Sequence, residues 1–306
     1  MQPQLPGSVA IREVGPRDGL QIEAPIATAA KLRLLEKLIA TGVRRIEATA
    51  FVSPAAVPAL ADAEEVAEFV RGTAGVTWSA LVANERGAHR AIAAGITNLE
   101  YVVSAGEGHS LANARRSTAE ATAAVRHVAA LAHAAGGRCE VIVATAWDCP
   151  FDGRTPADRT IEICERALAL GADQLCLGDT IGTTSPGRVT DLIAGVRRAV
   201  GGGIDLGVHF HNTRGAGLAC AWAAIGAGVT SLDASIAGLG GCPFAPGASG
   251  NIATEELVYL LEESGIDTGI DLDAALAAAV LAERLVGGSR GSNLVRAGLP
   301  GRVPIS

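Results

Sequence analysis

The chain has 306 residues, of which 49% are hydrophobic and 3% aromatic, and its formal net charge is −7. This length and hydrophobic content are sufficient for a large core, in either one α/β barrel or two smaller domains. Because no block of Lys and Arg offsets the negative charge, the composition argues against a nucleic-acid-binding surface.

Strand-like runs alternate with helical patterns about eight times along the chain. The predicted strands are 9–14, 45–51, 76–82, 99–104, 140–145, 174–177, 206–211 and 231–236. The predicted helices between them are 29–40, 58–70, 85–94, 118–135, 156–170, 186–200 and 216–227. Two more helices, 254–263 and 274–285, precede a tail from residue 287 without a fold signal, which we expect to be mobile or to contact a ligand or a second subunit.

Strand–helix repeats without a linker predict an α/β fold, namely one (β/α)8 TIM barrel with extra C-terminal helices. Residues 1–306 then form a single domain, with the barrel at about 9–237, a lid loop at 238–251 and the C-terminal helices and tail at 252–306. An open doubly wound sheet is the alternative. It usually carries a phosphate-binding glycine fingerprint after its first strand, and Gly15-Pro16-Arg17-Asp18-Gly19 does not match that fingerprint.

The cysteines and the termini bear on the compartment. Four of the six cysteines lie in apolar patterns and none forms a C-x-x-C pair; the four are Cys139, Cys164, Cys176 and Cys220. This pattern predicts buried thiols in a reducing, cytoplasmic setting. The first eight residues do not resemble a signal peptide, and no run of about 18 uncharged apolar residues predicts contact with a membrane.

The most informative stretch is His209-Phe210-His211. On a strand, alternate side chains share a face, so the two imidazoles would point the same way while Phe210 packs behind them. Taken alone, such a pair is more often two core histidines than a metal site. Two further candidate ligands favour the metal site: Asp18 after the first predicted strand, and Asn251 at the end of a glycine-rich loop.

The barrel hypothesis places chemistry at the carboxyl ends of the strands. Polar side chains collect there: Arg17, Asp18, Glu47, Thr49, Asp179, Thr180, His209 and His211. Taken one at a time, Asp18 is explained as a turn former, Asp179 as the start of a helix and Glu47 as a strand-end charge. Because these side chains all lie at the carboxyl ends of strands, together they predict an active site.

One carboxylate, two imidazoles and an amide oxygen form a mixed N and O ligand set without a thiolate. Such a set suits Mg²⁺ or Mn²⁺ in octahedral coordination, with Zn²⁺, Co²⁺ or non-haem Fe²⁺ as alternatives. An ion held there would polarise a substrate carbonyl together with a neighbouring hydroxyl.

The loop from Gly238 to Asn251 is rich in glycine and can approach a ligand with its backbone or close as a lid. It carries one thiol, Cys242. An isolated cysteine is usually structural, but a thiol in the middle of a glycine-rich loop near a metal site is a candidate acid or nucleophile.

Five motifs together resemble 3-hydroxy-3-methylglutaryl-CoA lyases, over about residues 9 to 285. They are VGPRDGLQ (14–21), IEATAFVSP (46–54), GDTIG (178–182), HFHNT (209–213) and GLGGCPFAPGASGN (238–251). The resemblance implies a TIM barrel, a divalent metal and a place in leucine degradation. The implied reaction is the retro-Claisen cleavage of a 3-hydroxy-3-alkylglutaryl thioester, an acyl-CoA, to acetyl-CoA and a 3-oxo acid, which is acetoacetate for the parent substrate. We also expect a homo-oligomer, either a dimer or a tetramer.

The resemblance also implies roles for individual residues. The implied metal ligands are Asp18, His209, His211 and Asn251. Arg17 would stabilise the enolate oxygen of the thioester, and Cys242 would help to protonate the acetyl-CoA carbanion. Glu47 and Asp179 would orient groups around the metal. The group that takes the hydroxyl proton stays open between Asp179 and a metal-linked histidine such as His209.

Two departures and two alternatives bear on the substrate and the reaction. Ile22-Glu23-Ala24 stands where a lysine is common in the family, and Arg214 where a tyrosine is common, so a longer 3-alkyl chain or a citramalyl thioester stays possible. A Claisen-type synthase of the same barrel group is one alternative, but Cys242 and Pro243 occupy its loop motif. The other alternative is a non-catalytic barrel that binds a metal or ligand, against which the intact site residues argue.

Overall fold

The computed structural model describes residues 5–241, 250–288 and 291–301. Its strands are β1 (Ala10–Glu13), β2 (Arg45–Phe51), β3 (Thr77–Val82), β4 (Asn98–Ser104), β5 (Cys139–Ala144), β6 (Asp148–Cys149), β7 (Gly153–Arg154), β8 (Gln174–Asp179), β9 (Asp205–Phe210) and β10 (Ser231–Ala234). Its helices are α1 (Thr28–Ala40), α2 (Ala63–Arg71), α3 (Glu85–Ala93), α4 (Glu107–Ala114), α5 (Thr118–Ala134), α6 (Ala157–Ala169), α7 (Pro186–Val200), α8 (Gly217–Gly226), α9 (Thr254–Glu263), α10 (Leu272–Leu285) and α11 (Asn293–Ala297).

The parallel strands close into a barrel, which confirms the predicted fold. Their order around the barrel is β1-β10-β9-β8-β5-β4-β3-β2, so the first and last strands of the chain pair with each other. A β-bulge between Glu47 and Thr49 interrupts the register of β2 with β3. Such bulges are common beside active sites because they re-aim a side chain.

Burial of small apolar residues joins the helices to the barrel. The long helix α5 buries Ala121, Ala129 and Ala132 together with two valines, and Ser117 and Glu120 form a capping box at its N-terminus. Reciprocal capping of this kind satisfies two backbone N–H groups that a helix start leaves unpaired. The alanine-rich pattern of the sequence thus covers the outer face of the barrel with side chains small enough for close packing.

Charged side chains occupy the barrel interior, where a TIM barrel more often has branched apolar residues. Arg12 of β1 lies at the centre and bonds Asp233 of β10, Glu100 of β4 and Glu140 of β5 at 2.7 to 2.8 Å. The apolar core accordingly lies mainly between the strands and the helices, for example at Leu34 of α1.

The C-terminal part differs from the sequence-based expectation. The two predicted helices are present as α9 and α10, and the described part of the tail, where the sequence showed no fold signal, also contains α11. The N–H group of Asn293 at the start of α11 donates to Glu256 of α9 at 2.5 Å, and Ser292 is buried. Two shorter elements were not predicted either, α4 and the hairpin of β6 and β7. The turn predicted at 15–19 is present after β1 and is π-helical. No helix in the described ranges is long and apolar enough to cross a membrane.

Gly87 in α3 offers a test of the contact between helix and barrel. A Cβ atom at Gly87 would lie 2.4 Å from the carbonyl oxygen of Phe51 at the end of β2. Replacing a helical glycine by alanine ordinarily stabilises by about 1 kcal/mol, but overpacking against backbone costs roughly 1–3 kcal/mol. We therefore expect Gly87→Ala to lower the free energy of unfolding, measured by urea denaturation.

The matched control is Gly187→Ala in α7, where the added Cβ would meet no heavy atom within 4 Å. Its denaturation midpoint should equal or slightly exceed that of the parent chain. A Gly87→Ala variant as stable as this control would show that β2 and α3 separate without cost.

Candidate active site and metal centre

A tight turn after β1 presents Arg17 and Asp18. The N–H groups of Gly19 and Leu20 donate to carbonyls five residues earlier, at 3.2 and 3.0 Å, which is π-helical bonding. Short π-helical segments are rare and often mark functional sites. The turn requires glycine at position 19, because a Cβ there would lie 2.8 Å from Cβ of Leu239.

Asp18, His209 and His211 converge at the carboxyl end of the barrel, as predicted. Nε2 of His209 lies 3.2 Å from Nε2 of His211 and 3.9 Å from Oδ2 of Asp18. Behind them Phe210 is buried and packs on Trp147 with ring centroids 5.7 Å apart, in agreement with the predicted alternation.

Asn251 reaches this cluster through a short pairing with the end of β9. His211 and Asn251 form an antiparallel bridge, and the N–H of Asn212 donates to the carbonyl of Gly250 at 3.0 Å. The amide Nδ2 of Asn251 donates to Oδ2 of Asp18 at 2.7 Å and to the carbonyl of Leu239 at 2.9 Å. These bonds fix the amide beside Asp18, and none of the described residues forms a hydrogen bond with its buried Oδ1 atom.

The donor set fits a divalent cation. Two imidazole nitrogens 3.2 Å apart cannot both aim lone pairs at each other without a proton or a cation between them. Ligand atoms at right angles around an ion at ~2.1 Å lie about 3 Å apart, which is close to this separation. Together with Asp18 and the amide oxygen of Asn251, the two histidines could hold a divalent ion with positions left for substrate or water.

Arg17 is buried and held on two sides. Its Nη1 donates to Oδ1 of Asp18 at 2.6 Å, and its Nε lies 2.7 Å from Oε2 of Glu47. Gln21, which the sequence did not single out, donates to the same Asp18 oxygen at 2.8 Å. The guanidinium is therefore fixed next to the metal centre, and the predicted proximity of Arg17, Asp18 and Glu47 is present.

The surroundings of the cluster favour the ionised form of Asp18 and the neutral form of His211. Burial alone would raise the pKa of Asp18, but Arg17 and the histidines outweigh it and hold that pKa below its ordinary value. Burial, followed by the nearby His209, lowers the pKa of His211 to about 4. A carboxylate and an unprotonated imidazole are the forms that bind a metal ion.

Glu47 and Asp179 differ in their relation to the centre. Glu47 pairs with Arg17, and burial raises its pKa well above the ordinary range. Asp179 ends β8, and its two oxygens accept the N–H groups of Thr183 and Thr184 at 3.1 and 3.2 Å. Within the described residues, none of these bonds links Asp179 to Asp18, His209 or His211, so its evident task is to hold the loop after β8.

Two residues singled out in the sequence lie outside or beside the cluster. Cys242 falls outside the described residues. The guanidinium of Arg214 donates to the carbonyls of Ile181 and Gly182 at 2.9 and 3.3 Å, so it joins the loops after β8 and β9. The five described cysteines are free and buried, as predicted for four of them.

Sequence reasoning missed Asp233, which contacts His209 of the candidate metal centre from the neighbouring strand β10. Its Oδ2 atom lies 3.1 Å from Nδ1 of His209. The sequence offered one sign of this residue, a single acid in the predicted strand that contains Ser231-Leu232-Asp233-Ala234. The register of that strand with β9 sets Asp233 opposite His209.

Comparison with known proteins bears on the family. A model of the HMGL-like family matches residues 8–281. The hydroxymethylglutaryl-CoA lyase YngG of Bacillus subtilis strain 168 is 40% identical over 283 residues, or 92% of this chain and 94% of YngG. An (R)-citramalyl-CoA lyase of Chloroflexus aurantiacus is 40% identical over 282 residues, or 89% of each chain.

A solved structure shares the whole architecture. The HMG-CoA lyase from Acinetobacter baumannii, in complex with coenzyme A and 3-methylmalate, superposes with a TM-score of 0.92 at 39% identity. The match covers 98% of this chain and 98% of that one.

Loss of the Asp18 carboxylate should abolish tight metal binding without unfolding the barrel. In Asp18→Asn an amide replaces the anionic ligand, so we expect Mn²⁺ affinity to fall by more than about 100-fold, beyond the range typical of residues outside the ligand sphere. Isothermal titration calorimetry measures the affinity, and circular dichroism checks the fold. Asp158→Asn, at an exposed position of α6, is the control. Unchanged Mn²⁺ affinity in Asp18→Asn would place the ion elsewhere.

Proposed function

The chain belongs to the HMGL-like family and is a carbon–carbon lyase, and we propose that it cleaves 3-hydroxy-3-methylglutaryl-CoA, or a close 3-hydroxy-3-alkyl acyl-CoA, in a metal-dependent retro-Claisen reaction. The products would be acetyl-CoA and acetoacetate, or the matching 3-oxo acid. The observation that carries the proposal is the fixed guanidinium of Arg17 beside the cluster of Asp18, His209 and His211.

The bond to be broken joins C2 and C3 of the acyl chain. The C3 hydroxyl loses its proton and becomes the ketone of the 3-oxo acid, while the electrons of the C2–C3 bond move into the thioester as an enolate. A proton delivered to C2 then completes acetyl-CoA. The enzyme must therefore accept one proton, stabilise one developing oxyanion and return one proton.

We propose Asp18, His209, His211 and Asn251 as the residues that hold the divalent ion, Mg²⁺ or Mn²⁺. A bound ion of this kind polarises the oxygens at the reacting end of the substrate. Neutral His211 and ionised Asp18 are the protonation states that the site favours, so no proton has to leave these two groups before the ion binds.

Arg17 is the proposed partner of the enolate oxygen. Its Nη1 and Nε atoms are held by Asp18 and Glu47, so the guanidinium does not have to reorganise as charge develops on the substrate. Glu47 thereby orients Arg17, which is a specific form of the orienting role proposed from the sequence.

The hydroxyl proton has two candidate acceptors, His209 and Asp179. If His209 binds the metal ion, neither ring nitrogen can take the hydroxyl proton, because Nε2 faces the ion and Nδ1 faces Asp233. Within the described ranges each oxygen of Asp179 accepts one N–H group, which leaves lone pairs that can take a proton, and burial raises its pKa above the ordinary value. We therefore propose Asp179, which requires the substrate hydroxyl to lie toward the end of β8.

Other parts of the proposal rest on sequence. Cys242 is the proposed acid that returns the proton to C2. We also propose that the chain forms a homo-oligomer, either a dimer or a tetramer, in the cytoplasm, and that it has a role in leucine degradation.

The observation that favours a second substrate is the similarity to (R)-citramalyl-CoA lyase. All three proteins compared above are named as lyases, which favours cleavage over a Claisen-type condensation and over a non-catalytic barrel.

The experiment that tests the function is turnover over a panel of acyl-CoA thioesters. We expect 3-hydroxy-3-methylglutaryl-CoA to yield acetyl-CoA and acetoacetate. Citramalyl-CoA and longer 3-alkyl homologues are the competing substrates, and kcat/KM ranks them.

Chelation should abolish turnover, and Mg²⁺ or Mn²⁺ should restore it. Full turnover in a chelated sample would refute the metal dependence, and no cleavage of any thioester would refute the function. Wild-type turnover by Cys242→Ala would remove Cys242 as the acid.

A substitution of Arg17 should act on the chemical step. In Arg17→Met the guanidinium contact to the developing oxyanion is lost, so kcat should fall by at least ~10²-fold with little change in KM. Steady-state kinetics at saturating metal give both constants. Arg17→Lys should recover only part of the rate, because an ammonium lacks the planar fork that Asp18 and Glu47 hold.

The control for this variant is Arg33→Met, at an exposed position of α1. It should leave both constants unchanged. A large rise in KM with normal kcat in Arg17→Met would instead assign Arg17 to binding of the coenzyme A phosphates.

A further inference from the structure

Asp233 lies one strand away from His209, in the wall of the barrel. The register pairs it with Arg12 of β1 on one side and with His209 of β9 on the other. Its side chain is buried, with 4% of its surface exposed. A carboxylate with this burial must be paired, and its partners decide which way it can point.

Among the described residues, Asp233 contacts Arg12, His209 and, through a longer contact of 3.8 Å to Oδ2, the thiol of Cys176. Nε of Arg12 donates to Oδ1 and Nη2 donates to Oδ2, both at 2.8 Å, so the pair is bidentate. The same Oδ2 atom lies 3.1 Å from Nδ1 of His209. Bidentate pairing with a planar guanidinium fixes the plane of the carboxylate and hence the direction from which Oδ2 meets the imidazole.

An ionised carboxylate accepts hydrogen bonds and cannot donate them. Nδ1 of His209 must therefore carry the proton that faces Oδ2, whereas free histidine favours a proton on Nε2. In the neutral ring the lone pair is then on Nε2, which is the atom that faces His211 at 3.2 Å and Asp18 at 3.9 Å. The contact with Asp233 thus selects the tautomer that can bind a metal ion.

We infer that Asp233 is a positioning residue that holds His209 with Nδ1 protonated and the Nε2 lone pair aimed at the metal centre, and that Arg12 holds Asp233. The inference rests on the metal site of the proposed function. It adds a residue from the barrel wall that belongs to none of the motifs found in the sequence.

Arg12 can hold Asp233 because two other acids hold Arg12. Its Nη1 donates to Glu100 at 2.7 Å and to Glu140 at 2.8 Å, from β4 and β5 on the far side of the barrel. The guanidinium is therefore anchored from both sides, and it cannot follow Asp233 if that carboxylate rotates. A purely structural ion pair would not require Oδ2 to be shared with a histidine at the metal centre.

The test combines metal affinity with a spectroscopic signature of the ring. In Asp233→Ala the proton on Nδ1 loses its acceptor, so we expect Mn²⁺ affinity by calorimetry to fall about 10- to 100-fold, the range typical of a residue that orients a metal ligand. Protein with ¹⁵N-labelled histidine should show a slowly exchanging, downfield Nδ1–H signal of His209, assigned by its absence in His209→Gln. That signal should disappear in Asp233→Ala.

Two further variants keep the inference falsifiable. Asp233→Asn conserves the shape in case the alanine variant does not fold, and it should weaken Mn²⁺ binding less, because an amide oxygen can still accept from Nδ1. Asp205→Ala, an exposed acid on β9, should change neither readout. In a His209→Ala background, the second change Asp233→Ala should have no additional effect on affinity, since the ring that it orients is gone.

The outcomes separate this inference from the proposed function. Wild-type Mn²⁺ affinity in Asp233→Ala or Asp233→Asn, or an Nδ1–H signal that persists in Asp233→Ala, would overturn the role of Asp233 whatever the turnover. Weakened Mn²⁺ binding with loss of the signal would support the role even if the parent chain cleaved none of the thioesters, because neither readout needs a substrate.

Discussion

A buried cation, the guanidinium of Arg12, is the constraint on which the barrel interior depends. Leaving such a charge uncompensated costs several kcal/mol, so the strands that surround it must bring acids inward. Asp233, Glu100 and Glu140 do so at 2.7 to 2.8 Å. One inward cation on β1 thus determines the inward residues of β10, β4 and β5, and through Asp233 it reaches the face on which the proposed metal ligands lie.

The same cation is linked to the metal centre by a second route. Glu100 interacts with Glu47, which pairs with Arg17, which bonds Asp18. Charges alternate along this route except where Glu47 meets Glu100. Burial, and then the neighbouring Glu100 against the opposing effect of Arg17, raise the pKa of Glu47 well above its ordinary range. Arg17 thus contacts two acids, Glu47 with a raised pKa and Asp18 with a lowered pKa, so Asp18 is the partner whose ionised form the site favours.

Periodicity was enough to predict the barrel and the strand-end positions of Asp18, His209 and His211, because side-chain alternation is a local property of the sequence. Hydrogen bonds between distant segments were not predictable in this way. The π-helical turn around Arg17 depends on carbonyls of Val14 and Gly15, and α11 depends on α9. Asp233 was missed because its contact with His209 can be inferred only when the register between β10 and β9 is known.

The position of the proposed metal centre follows from how the barrel closes. β1 pairs with β10 and β10 with β9, so Asp18 from the start of the chain meets His209 and His211 from its last third only after the sheet has closed on itself. Asn251 joins them by pairing with the end of β9. Since the proposed ligands are apart in any open form, an ion bound by all of them would bind the closed barrel alone. Binding of that kind adds its free energy to folding, which couples formation of the site to closure of the fold.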